Sequence, residues 1–419
     1  MINVLKNKLN KKKFKSFYEN YLFVITAFIF FIFCIIFFFQ YLSVNKYPGD
    51  NGDSRHIILV LENFFLASTI KEFSFLETFF FYPVKGSIFF SEPLWGVAWI
   101  YALLRLLSIE IFASYKILFF IVFMSNFLTC YYCSKKMKIS SFISLIISSF
   151  FTFSLPIIAQ DAHFALMIRF FVPLTIVNLY FFLKTEKIKY LTLCSLFLFF
   201  QFLSGIYIAM FLLTVVLVFI IFYFIISKKY LLLKFNSFKK NFLHLVVVLI
   251  LATSLLIYLS NFLEVSKLHA AKRGYAFEGL INLYSFFNTD RSIFWPNKLQ
   301  PEYYPLHENQ LYMGISFFIF LWIIFLKKNF LFSQKYNDCK IFLIFSLLSL
   351  LLFFSFYKFS FYYFFRWLPG LSSMRSEVRS FLVIMFPLLI FFGMSLDKII
   401  KRYPYYKIIF QILFIFFFN

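Results

Sequence analysis

Between residues 47 and 56 the chain reads Tyr47-Pro-Gly-Asp-Asn-Gly-Asp-Ser-Arg-His56. Two glycines and a proline suit a tight turn, and Asp53 or Ser54 suits the N-cap of a following helix. That accounts for one acid but not for two, Asp50 and Asp53, set beside Arg55 and His56. Carboxylates of this kind can accept a proton from a reacting hydroxyl. A second stretch, Gln160-Asp-Ala-His163, continues to Arg169. Asp161 and Arg169 are eight apart and share roughly one helical face, so an ion pair competes with ligand binding as the role of Arg169. A third, between residues 264 and 310, carries Lys267, Lys272, Arg273, Glu278, Asp290, Arg291, His307 and Glu308. A fourth holds Arg375-Ser-Glu-Val-Arg379, whose arginines fall four apart on one helical face. Guanidinium is the natural bidentate partner of phosphate, which makes that pair the anion candidate. Arg366 and Trp367 read instead as anchors in a lipid headgroup zone.

Other chemistries lack their signatures. The sequence contains no P-loop, no dinucleotide-binding glycine fingerprint, no HExxH and no GxSxG. Cys130-Tyr-Tyr-Cys133 is a single CxxC inside an apolar run, without the second pair that a structural zinc site needs. With Cys34, Cys194 and Cys339 these thiols lie in apolar runs or a basic loop, so no disulfide framework is expected.

The elements that must position the candidate residues belong to a membrane. Of the 419 residues 62% are hydrophobic and only 14% charged, with 73 phenylalanines, and the mean hydropathy is +0.84. A water-soluble chain is nearer one quarter charged. The formal charge of +23 sits in short lysine clusters between apolar runs, the pattern of cytoplasmic loops rather than of a nucleic-acid-binding surface. The expected fold class is therefore an all-α integral membrane protein with about 11 transmembrane helices. The expected spans are 21–41, 112–133, 141–158, 164–183, 190–204, 206–226, 242–262, 311–326, 341–357, 381–396 and 408–418. Residues 1–20 form a basic cytoplasmic tail, and 21–419 a polytopic domain.

Charge sets the orientation. With the N-terminus inside, the clusters at Lys135–Lys138, Lys184–Lys189, Lys228–Lys240, Lys327–Lys340 and Lys398–Lys407 all face the cytoplasm. Only Glu19, Glu186, Asp338 and Asp397 among the 18 acids accompany them. The alternation requires that the apolar stretch Leu94–Leu107 not cross. It then belongs to the first external loop, 42–111, as a helix lying on the membrane. The other external loops are 159–163, 263–310 and 358–380, and they hold nearly every candidate residue.

An acidic motif after the first span, an interfacial segment next, and about ten spans resemble the GT-C superfamily of membrane glycosyltransferases. Pro48-Gly-Asp-Asn-Gly-Asp-Ser-Arg55 with Leu61-Glu62 looks like the first-loop motif of bacterial members. Phe81-Tyr-Pro83, Ser91-Glu-Pro93, Tyr101-Ala-Leu-Leu-Arg105, Arg169-Phe-Phe-Val-Pro173 and Leu368-Pro-Gly-Leu-Ser-Ser-Met-Arg375 look similar to later blocks. The resemblance implies transfer of a sugar from a polyprenyl-phosphate donor to a glycan, lipid or protein acceptor on the non-cytoplasmic face of a bacterial inner membrane. Asp53, with Asp50 second, would be the general base, and Arg375 and Arg379 would hold the lipid phosphate. Arg55, His56, His163, Arg169 and Glu308 complete the implied substrate site. In some branches the first-loop acids bind a divalent cation. Here Ser54 follows Asp53 in place of a second adjacent acid, which leaves Asp50 and Asp53 as the only metal candidates. The competing functions are a transporter or flippase of lipid-linked sugars and a polysaccharide polymerase. Transporters place ionisable groups near the bilayer midplane, whereas these lie at the outer rim.

Overall fold

The computed structural model describes residues 48–50, 52–227, 238–268, 279–289, 292, 308–327, 337–356, 359–365, 371, 374 and 376–415. The basic tail, the expected first span and the cluster from Lys228 to Lys234 lie outside them. Among the described residues the fold is all-helical, with isolated bridges but no strands. The helices are α1 Asp53–Thr69, α2 Trp95–Leu106, α3 Ile111–Lys136, α4 Ser141–Phe153, α5 Phe171–Thr185, α6 Ile188–Ser204, α7 Ile206–Ser227, α8 Phe238–Leu268, α9 Ile315–Leu326, α10 Asn337–Phe353, α11 Phe381–Arg402 and α12 Tyr406–Ile415.

Six helical stretches are long and apolar enough to cross a membrane: Ile111–Lys136, Ser141–Ile158, Phe164–Thr185, Ile206–Ile225, Phe242–Val265 and Glu377–Arg402. They match six of the eleven expected spans. The other expected spans in the described residues are shorter helices, such as α6 and α9. Leu94–Leu107 forms α2, whose 12 residues reach about 18 Å, well short of a ~30 Å hydrocarbon core.

Helix α11 forms the centre, with almost every residue buried, while α8 buries few of its residues and packs by one side on α6. Lipid tails give apolar helices no hydrophobic reason to pair, so close packing must come from shape. Helix α4 supplies it with Ser144, Ser148 and Ser149, all fully buried. Their hydroxyls are satisfied locally: Ser148 Oγ donates to the Ser144 carbonyl at 2.7 Å and Ser149 Oγ to the Leu145 carbonyl at 2.9 Å.

The expected span Phe164–Leu183 is broken after Met167. A break in an apolar setting leaves backbone groups that water cannot reach, and side chains must answer them. Asn126 Nδ2 donates to the Met167 carbonyl at 2.8 Å and its Oδ1 accepts from the Arg169 amide at 3.1 Å. Gln201 Nε2 donates to the Ile168 carbonyl at 2.8 Å. Ahead of the short helix Phe164–Met167 the chain turns at Gln160–His163, where the His163 amide donates to the Gln160 carbonyl at 2.9 Å.

Charge is segregated by end. Lys184 bridges Asp338 at 2.9 Å, Lys401 pairs with Asp397, and Lys135 reaches Ser141 Oγ at 3.0 Å. The first joins the C-terminal end of α5 to the N-terminal end of α10 and the third that of α3 to α4, while the second lies within the last turns of α11. The opposite end carries Asp53, His163, Glu308 and Arg379.

Candidate functional site

The loop before α1 is shaped by Asp50. Its Oδ1 accepts from the amides of Gly52 at 3.0 Å and Asp53 at 2.7 Å, satisfying donors that the first turn leaves open. The N-cap position is Gly52, and the capping carboxylate is supplied from the preceding turn by Asp50, not by Asp53 or Ser54 as the sequence suggests. Ser54 is buried and donates through Oγ to the Pro48 carbonyl at 2.8 Å. Gly49 has φ +90°, and a Cβ there would lie 2.0 Å from Ser54 Oγ and 3.0 Å from Ala162 Cα. Only glycine allows this loop to sit against the Asp161–His163 turn.

Docking of the two loops places Asp53 on His163. Asp53 Oδ2 and His163 Nδ1 are 2.6 Å apart. On the other side of the ring, Arg379 Nη2 lies 3.1 Å from His163 Nε2. A guanidinium only donates, so Nε2 must accept and Nδ1 must carry the proton that goes to Asp53. Arg379 in turn holds Glu308 in a fork, with Nε to Oε2 at 2.9 Å and Nη2 to Oε1 at 2.5 Å. Ser376 Oγ adds a third bond to Glu308 Oε2 at 3.1 Å. The Arg379 guanidinium carbon also lies 5.4 Å from the Tyr207 ring centre, within cation–π range. The Glu308 segment is held by the turn Tyr284–Phe287, where the Leu311 amide donates to the Ser285 carbonyl at 2.8 Å and Ser285 Oγ meets Asn309 Oδ1 at 3.2 Å.

Exposure falls along this relay, from 56% at Asp53 through 29% at His163 to 12% at Glu308. Burial lowers the His163 pKa and the Arg379 cation lowers it further, against the opposing pull of Glu308 and Asp53. The neutral ring demanded by the Arg379 contact is therefore also the favoured one. Burial pushes Glu308 up, but Arg379, His163 and Ser376 outweigh it and leave its carboxyl below the ordinary value. The relay thus runs from a buried ion pair through a neutral imidazole to an exposed carboxylate. Chemically, such an arrangement can orient Asp53 and let it accept a proton.

The remaining expected residues are placed elsewhere. His56 stacks edge-on against Phe80 at 5.6 Å, and burial lowers its pKa while Asp53 opposes this. Arg55 is exposed on α1. Arg169 is fully buried and does not bridge to Asp161. Its Nη2 and Nη1 donate to the carbonyls of Phe151 at 2.7 Å and Leu382 at 3.3 Å, and it stacks on Phe151 at 4.5 Å. A cation inside the bundle must find acceptors there, and these tie α4 and α11 to the broken span. Arg375, Arg366, Trp367 and His307 lie outside the described residues, as do Lys272, Arg273, Glu278, Asp290 and Arg291. Arg379 sits in the short helical turn Glu377–Ser380 at the head of α11.

Glu62 serves as a strut. It accepts from Tyr101 OH at 2.7 Å and Arg105 Nε at 3.1 Å, fastening α2 to α1. Sequence reasoning missed Ser376 and Tyr207 as supports of the relay; a serine and a tyrosine in apolar surroundings carry no distinguishing signal.

Cys130, Cys133, Cys194 and Cys339 are buried free thiols. Among the described residues no group of three His, Cys, Asp or Glu side chains is arranged to hold a metal ion. Comparison with protein-family models, curated proteins and solved structures finds no match to this chain.

Proposed function

We propose that the chain is a membrane glycosyltransferase of the GT-C kind, using a polyprenyl-phosphate sugar at the non-cytoplasmic face of a bacterial inner membrane. The observation that carries this reading is the exposed Asp53 carboxylate oriented by His163, which Arg379 and Glu308 hold from behind. The acceptor hydroxyl attacks the anomeric carbon and gives its proton to Asp53. The sugar–phosphate bond breaks, and polyprenyl phosphate leaves with the bonding electrons. A base at the acceptor and a cation at the leaving phosphate are what this chemistry needs. Arg379 has Nη1 without a partner among the described residues, and with Arg375 it supplies the cations for that phosphate. Asp50 acts on Asp53 as the cap of its helix. The N-terminus is cytoplasmic, and α1, α2 and the segment between them lie along the outer surface.

The test is transfer of labelled sugar from a polyprenyl-phosphate donor by the purified chain in lipid. Replacing Asp53 with Asn is expected to remove about 10²- to 10⁴-fold of the activity, the usual worth of a general base. Undiminished transfer in D53N would refute the assignment. Movement of a lipid-linked sugar across the bilayer without a new glycosidic bond would favour a flippase instead.

A further inference from the structure

Behind Arg379, the segment before α2 brings a second acid into the fold. Glu92 Oε1 accepts from the Tyr207 amide at 3.4 Å, the residue whose ring lies under Arg379. Its other oxygen, Oε2, is buried and has no hydrogen-bond partner among the described residues. A Cβ on Gly205 would stand 3.1 Å from that oxygen and 2.9 Å from the Ala165 carbonyl, so the α6–α7 turn leaves room only for glycine. Tyr258 of α8 is 6% exposed, its hydroxyl is likewise unpartnered, and Glu92 acts on it electrostatically. The Tyr258 ring is walled by Trp95 at 5.8 Å, Phe89 at 6.0 Å and Phe262 at 5.3 Å.

Folded proteins rarely leave buried polar groups without partners, and two such groups, one within electrostatic reach of the other, call for an outside explanation. A wall of aromatic rings with one carboxyl and one phenol is complementary to a hydroxyl-rich ligand, which offers C–H faces to rings and O–H groups to polar atoms. We propose that Glu92 and Tyr258 form a buried hydroxyl-binding subsite beside the Arg379 end of the site, where hydroxyl groups of the transferred sugar are recognised. The naming of the sugar as ligand rests on the glycosyl-transfer reading; the subsite itself rests on the two unpartnered groups. Burial raises the Glu92 carboxyl to about 7, with the Tyr207 amide, the Arg379 cation and the Ile206 amide opposing. It is therefore largely protonated under mildly acidic conditions and then presents Oε2 as a donor. Tyr258 from α8 and Arg379 from the turn before α11 are the titratable groups that act on it.

The experiment uses the full chain in lipid nanodiscs with methyl glycosides of glucose, galactose and mannose as probes, followed by saturation-transfer NMR. The wild type is expected to bind at least one glycoside, more weakly as pH rises through about 7. Tyr258→Phe and Glu92→Leu are each expected to weaken binding roughly tenfold, the scale of one lost hydrogen bond. Glu92→Gln, which keeps a neutral donor, is expected to bind within about threefold and to lose the pH dependence. Absence of binding to the wild type, or wild-type affinity in Tyr258→Phe, overturns the subsite. Glycoside binding that survives in D53N while transfer is absent even in the wild type would overturn the catalytic reading and leave the subsite standing.

Discussion

At the scale of single residues, the centre of the site is an imidazole held neutral between a cation and a carboxylate. His163 accepts from Arg379 through Nε2 and donates to Asp53 through Nδ1. A proton added at Nε2 would face the guanidinium, so the relay opens when the ring is charged. Because the folded-state pKa lies below the ordinary value of 6.5, folding is opposed by protonation. The contribution to stability is full above about pH 6.5 and lost as pH falls through the lowered value. Transfer activity is expected to show an acid limb in that same window, measured as kcat/KM against pH. Arg379→Gln removes a cation that lowers His163, so that limb should move to higher pH. An unmoved limb in R379Q would show that His163 does not govern it.

Among elements, the first turn of α1 is where the site is set. Asp50 satisfies the amides of Gly52 and Asp53, and losing such a cap costs about 1 kcal/mol. Asp50→Ala is therefore expected to lower thermal stability modestly and to reduce activity by less than Asp53→Asn. Gly49→Ala is a harsher change, since the added carbon meets Ser54 Oγ and Ala162 at a positive φ. The loop would have to lift from the Asp161–His163 turn, carrying Asp53 off His163. Its activity is expected to fall by far more than its melting temperature predicts, whereas wild-type transfer in G49A would mean that the docking is dispensable. The strut formed by Glu62, Tyr101 and Arg105 makes α1 and α2 one unit, so Arg105→Ala should loosen both.

For the whole molecule, the bundle is apolar between two charged ends, with lysines at one end and the relay at the other. Positive loops stay on the cytoplasmic side, so a cysteine placed at Ser108 should be labelled by an impermeant thiol reagent from outside. One placed at Lys138, across α3, should be labelled only after permeabilisation. Labelling of Lys138 from outside, with Ser108 reached only after permeabilisation, would make α2 a spanning segment and overturn its place on the outer surface.

Much of this architecture was legible in residue order. Apolar runs predicted six spans that appear as helices of adequate length, because crossing hydrocarbon demands continuous helical hydrogen bonding over a set distance. The brevity of α2 follows from the same arithmetic. The double-acid loop was also legible, since glycine and proline mark a turn by backbone sterics alone. Which acid caps and which faces outward was not, because either spacing satisfies the turn. Arg169 looked equally suited to a ligand or to Asp161, and it does not pair with Asp161; its partners are the carbonyls of Phe151 and Leu382 on α4 and α11. Local spacing thus determined the helices, their charge asymmetry and the loop that carries the acids. The joining of Asp53, His163, Glu308 and Arg379 was decided by tertiary structure alone, because these residues come from four segments that meet only when the bundle packs.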